Sequence, residues 1–78
     1  MKELLIKLRD LTLTECNCGL CYNANILRER KIITPFQEEM LVDYMYKHKP
    51  KHATGMYWWR VAIKTYRIKW LNKQIESL

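Results

Sequence analysis

The sequence predicts an all-α fold, a small bundle of about four short helices, and three observations carry that prediction. Leu4, Leu8 and Leu11 recur at i, i+4 and i+7. Thr34-Pro35-Phe36-Gln37 has the make-up of a helix start, and Ile68, Leu71, Ile75 and Leu78 repeat a helical spacing near the C-terminus. Apolar residues three and four apart fall on one face of a helix, so each set predicts an amphipathic helix with its stripe turned inward.

The first helix is expected over residues 2–11, with Lys2, Lys7, Arg9 and Asp10 off the leucine stripe. Thr12-Leu13-Thr14, β-branched at both ends, weakens helix beyond that point. Asn17 can cap a second helix starting near Cys18, with Leu20, Ala24 and Leu27 inward. Gly19 is then oddly placed inside a helix, which close approach of another backbone or a ligand would explain. Arg28-Glu29-Arg30-Lys31 closes the helix with cations at its negative end.

Thr34 as N-cap, Pro35 at the first helical position and Gln37 three residues after the cap form a capping box. The helix they open runs to about Lys47 and is expected to bury Phe36, Met40, Leu41 and Tyr44 while Glu38, Glu39 and Tyr46 face outward. Pro50 lies beyond its end. Residues 47–55 read as a basic loop, and residues 57–63 fit neither helical nor strand period. The last helix spans Thr65 to Ser77, with Arg67 beside its stripe and Tyr66 and Trp70 together on a face away from it.

Seventy-eight residues make one domain, and a chain of this size buries only about 60% of the surface it exposes when unfolded. Small scaffolds compensate with disulfides, a metal or self-association. Three cysteines, an odd number, argue against a disulfide framework. Cys18 and Cys21 with His48 and His52 have zinc-like spacing within each pair, and Cys16 adds a third thiol, but the 26 residues between the pairs exceed the usual separation. Free thiols packed as small apolar groups at a helix start account for the cysteines better, and zinc is not expected to be needed for folding. No apolar run is long enough to span a bilayer, and Met1–Lys7 is too charged for a signal peptide, so the cytoplasm is the expected compartment.

The formal net charge is +6, and it is unevenly placed. Residues 1–43 carry six basic and seven acidic side chains; residues 44–75 carry eight basic and no acidic ones, together with all three tryptophans. Aromatic faces set among fixed cations suit a flat anion, a nucleotide or a nucleic acid. The candidate ligand-binding residues are Thr54, Tyr57, Trp58, Trp59, Arg60, Arg67, Lys69 and Trp70. Phosphate-loop, zinc-protease and serine-hydrolase motifs are absent, so a binding protein without a cofactor is the expected class rather than an enzyme.

Gly19-Leu20-Cys21, Ile33-Thr34, Gln37-Glu38-Glu39, Lys49-Pro50, Tyr57-Trp58-Trp59 and Arg67-Ile68-x-Trp70-Leu71 together resemble a widespread group of short bacteriophage proteins over residues 17–76. That group is similar to the phage anti-CBASS sponges, small oligomeric proteins that sequester cyclic dinucleotide immune signals without cleaving them. The resemblance implies a cyclic nucleotide ligand, a homo-oligomer (dimer or tetramer) and a place in the host cytoplasm. Cys16 and Cys18 depart from it and leave the zinc alternative open. Two other readings remain: an inhibitor that anchors on a host protein through Trp58, Trp59 and Arg60, and a small nucleic-acid-binding module.

Overall fold

The computed structural model describes residues 1–15, 19–49 and 64–78, which form four helices and no strand. They are α1 (Lys2–Thr14), α2 (Leu20–Glu29), α3 (Pro35–Lys47) and α4 (Lys64–Ser77). None is long and apolar enough to cross a membrane. α1 lies at the centre, packed against α4 on one side and α2 on the other, and α2 packs in turn on α3. The core between them is built from Leu4, Leu5, Leu8 and Leu11 of α1, Leu20, Ala24 and Leu27 of α2, Leu41 and Met45 of α3, and Trp70, Leu71 and Ile75 of α4.

α1 runs three residues further than its β-branched end predicts. Thr12 and Thr14 stay helical because each hydroxyl donates back to a carbonyl of the preceding turn: Thr12 Oγ1 to Leu8 O at 2.7 Å, Thr14 Oγ1 to Leu11 O at 3.1 Å. Thr12 is buried, and its hydroxyl accepts a 2.9 Å bond from Asn23 Nδ2 across the α1–α2 interface.

The start of α2 corrects the sequence reading. Gly19 is the N-cap with an extended backbone, and Leu20 is the first helical residue, so Gly19 lies outside the helix rather than within it. Gly19 is buried. The other end closes through a Schellman motif: Lys31 N–H bonds Arg28 O at 2.9 Å, Ile32 N–H bonds Leu27 O at 2.9 Å, and Lys31 sits at φ 60°.

α3 begins as expected. Thr34 Oγ1 accepts from Gln37 N, Gln37 Oε1 accepts from Thr34 N, and Pro35 is the first helical residue. Its buried face differs from the expected one. Leu41 and Met45 point into the core, whereas Phe36 and Met40 are 70% and 37% exposed and Tyr44 is only half-buried. The reason is electrostatic as well as apolar. Glu38 is drawn toward α2 by Arg28 Nε at 2.7 Å and Asn25 Nδ2 at 3.3 Å, which turns Phe36 and Met40 outward.

α4 is rotated in the same way. Its inward residues are Arg67, Trp70, Leu71 and Ile75; Ile68 is half-buried and Leu78, past the helix end, is exposed. Trp70 is therefore a core side chain at its base, not an outer one, while Tyr66 does face outward.

Candidate ligand-binding site

Where the C-terminal end of α3 meets α4, three contacts fix the geometry. Trp70 Nε1 donates to the His48 carbonyl at 3.3 Å, satisfying the one polar atom of a buried indole. Tyr44 Oη donates to Gln74 Oε1 at 2.9 Å. The Tyr44 and His48 rings stack at 3.9 Å between centroids with 19° between planes. His48 Nδ1 lies 3.0 Å from Tyr44 O, and because a carbonyl only accepts, Nδ1 carries the proton there and Nε2 faces away from that bond. Burial pushes the Tyr44 hydroxyl pKa above its ordinary 10.0.

Against this frame lies a cleft of about 330 Å³ lined by His48, Tyr66, Lys69, Trp70, Lys73 and Gln74. Tyr66, Lys69 and Lys73 share one face of α4, at i, i+3 and i+7, and are exposed. The lining thus combines two ammonium groups, an imidazole, an amide and aromatic surface, and contains no carboxylate. Ligand pockets begin near 300 Å³, so the cleft accommodates about one nucleotide moiety.

A larger hollow, about 580 Å³, borders the α2–α3 turn. Part of its polar lining is already engaged: Arg28 holds Glu38, and the Thr34 and Gln37 backbone N–H groups are satisfied by the capping box, while Glu29 and Lys31 stand exposed on its rim. With a carboxylate, Glu29, beside Lys31 and no aromatic side chain in its lining, it suits a nucleotide less well than the α3–α4 cleft.

Of the sequence-predicted site residues, Lys69 and Trp70 line the cleft. Arg67, on the same helix, is 4% exposed and does not line it. Glu38, one carboxylate that could have paired with Arg67, is bound by Arg28 and Asn25 instead. Thr54, Tyr57, Trp58, Trp59 and Arg60 lie outside the described residues, as do Cys16, Cys18 and His52. Among the described residues no cluster of three His, Cys, Asp or Glu could hold a metal ion. Cys21 is half-buried at the start of α2, and burial raises its thiol above the ordinary 9.0, which disfavours the reactive thiolate.

Sequence reasoning missed Lys73, Gln74 and the role of His48 as a wall. The signal for Lys73 was present, since it continues the Tyr66–Lys69 row by one turn; the partnership of Tyr44 with Gln74 joins residues thirty positions apart and has no local signature. Compared with protein-family models, curated proteins and solved structures, the chain gives no match.

Proposed function

We propose that this protein binds a cyclic nucleotide signal and sequesters it without cleaving it, acting as a phage-encoded sponge against a nucleotide-signalled bacterial defence. The observation that carries the reading is the α3–α4 cleft, where exposed Tyr66 offers aromatic surface beside Lys69, Lys73 and His48, against the largely buried Trp70. A base stacked on an aromatic contributes about 1–3 kcal/mol, and a charge-assisted phosphate bond about 1.5–3 kcal/mol. One cleft filled by one nucleotide moiety therefore gains roughly 2.5–6 kcal/mol, against at least about 4 kcal/mol of lost translational and rotational freedom. Useful affinity requires a second cleft on the same ligand, which is the physical reason to expect a homo-oligomer, a dimer or a tetramer, that closes two clefts on the ligand. The resemblance of the Tyr-Trp-Trp and Arg-Ile-x-Trp-Leu segments to a group of short phage proteins, itself similar to the phage sponges, supports the same ligand class.

Calorimetry with cyclic di- and trinucleotides, beside linear nucleotides and duplex DNA, tests the proposal. A cyclic ligand is expected to bind most tightly and to be recovered intact after the protein is denatured. Lys69→Ala should weaken binding roughly tenfold or more with a melting temperature unchanged or slightly raised, because Lys69 is exposed, its bond is made only with ligand, and its loss relieves repulsion from Lys73. Arg67→Lys should do the opposite, lowering the melting temperature by the equivalent of about 1–3 kcal/mol, because the guanidinium is buried. Recovery of a hydrolysed ligand would make the protein an enzyme. Tight, steeply salt-dependent binding of long DNA with no preference for cyclic nucleotides would replace the proposal with the nucleic-acid reading.

A further inference from the structure

On a helix of 3.6 residues per turn, Phe36, Met40, Asp43 and Lys47 fall on one face of α3, opposite the buried Leu41 and Met45. Phe36 is the most exposed large apolar side chain among the described residues, and Met40 follows it one turn on. Neither lines the α3–α4 cleft, whose α3 wall is His48 on the helix flank. The face also has a charge order along its length. Glu39 and Asp43 flank the apolar pair, and Lys47 stands alone at the C-terminal end; all three are exposed.

We propose that this face of α3 pairs with the same face of a second copy, antiparallel about a two-fold axis. An isologous interface requires a surface complementary to itself, and this row is complementary to itself only when reversed. Parallel alignment sets Glu39 against Glu39 and Lys47 against Lys47. Antiparallel alignment sets Lys47 of one copy beside Phe36 and Glu39 of the other, and Asp43 beside Met40. The lysine stem covers the Phe36 ring while its ammonium meets the Glu39 carboxylate. The two helix dipoles then also oppose favourably. A purely acidic or purely basic partner would match only one end of the row.

Two helices of 13 residues bury less than the ~800 Å² a side of a standard interface, so the pair is a weak dimer, in the micromolar rather than the nanomolar range. The contact needs no nucleotide. It sets the two α3 C-terminal ends, and with them the two clefts, at opposite ends of the pair, so it is separate from any contact that closes two clefts on one ligand and stands or falls apart from ligand binding.

Sedimentation equilibrium of the ligand-free chain, from micromolar to high micromolar concentration, tests it with four variants: Phe36→Glu, Glu39→Lys, Lys47→Glu and the double Glu39→Lys/Lys47→Glu. The wild type is expected to show a monomer–dimer equilibrium, and Phe36→Glu to weaken it roughly thirtyfold, as removal of an interface anchor does. Each single charge reversal should weaken it several-fold and the double reversal restore it. Glu39 and Lys47 are eight residues apart in one helix, too far to pair within a chain, so recovery comes only across copies. Circular dichroism checks that every variant keeps its helices. A wild type that stays monomeric, a Phe36→Glu variant that associates normally, or a double variant no better than the singles overturns the antiparallel α3 pair. So does capture of a different protein on this face of a monomeric chain.

Discussion

Asn23 is a fully buried amide in an otherwise leucine-rich α1–α2 interface. Its Nδ2 donates to Thr12 Oγ1, which donates on to Leu8 O, but among the described residues no donor reaches its Oδ1. A buried acceptor without a donor costs about 1–3 kcal/mol, so the pair specifies the register of α1 on α2 more than it stabilises it. Thr12→Val leaves the amide with no partner on either atom and should destabilise by about 1–3 kcal/mol. Thr12→Val/Asn23→Leu replaces both groups with apolar ones of similar size and should recover most of that loss. Urea unfolding of the two variants checks this; a double variant as unstable as the single one would mean that the polar pair is stabilising as it stands. Nothing in the sequence announced this pair, because Thr12 read as a helix weakener and a lone asparagine in a helix has no local mark of burial.

At the scale of elements, what was legible followed local rules. The Thr34–Gln37 box needs only four adjacent residues, and α3 begins where those residues say it does. The extent of α1 and the facing of α3 were not legible, because they depend on distant partners. Glu38 turns inward only because Arg28 and Asn25 of α2 wait there, and Phe36 goes out as a result. Trp70 turns inward because the α3 backbone at His48 offers its indole an acceptor. The end of α2 was hidden for another reason. A Schellman motif is usually read from glycine at the left-handed position, and here that position is Lys31, at φ 60°. A residue with a Cβ pays about 1–2 kcal/mol there, partly offset in glycine by a floppier unfolded chain. Lys31→Gly should therefore stabilise the protein, by up to about 1 kcal/mol in urea unfolding. A loss of stability would show that the lysine side chain earns its place through contacts rather than merely tolerating the turn.

For the molecule as a whole, the uneven charge is the feature with most consequence. The ion pairs shown among the described residues, Arg9–Asp10, Arg28–Glu38 and Arg30–Glu15, all draw their carboxylates from the first 38 residues. Lys47, Lys49, Lys64, Lys69 and Lys73 take part in none of them, and Lys69 and Lys73 stand one turn apart on α4. Like charges so placed repel, by about 0.2–0.5 kcal/mol for an i, i+4 pair, and folding gathers them. Raising salt from about 20 mM to about 300 mM shortens the screening length from roughly 20 Å to roughly 6 Å. The melting temperature of the ligand-free protein should then rise, by about 4–8 °C if the relieved repulsion is near 1 kcal/mol. Sulfate would add effects of its own, so sodium chloride is the salt to use. A melting temperature that falls or stays level with salt would show that the three acidic pairs matter more than the basic face. If it rises, the same measurement gives the baseline for the ligand. A cyclic dinucleotide at micromolar concentration adds almost nothing to ionic strength, so any stabilisation it brings at about 20 mM salt must come from binding to the folded protein, and its loss in Lys69→Ala would place that binding at the basic cleft.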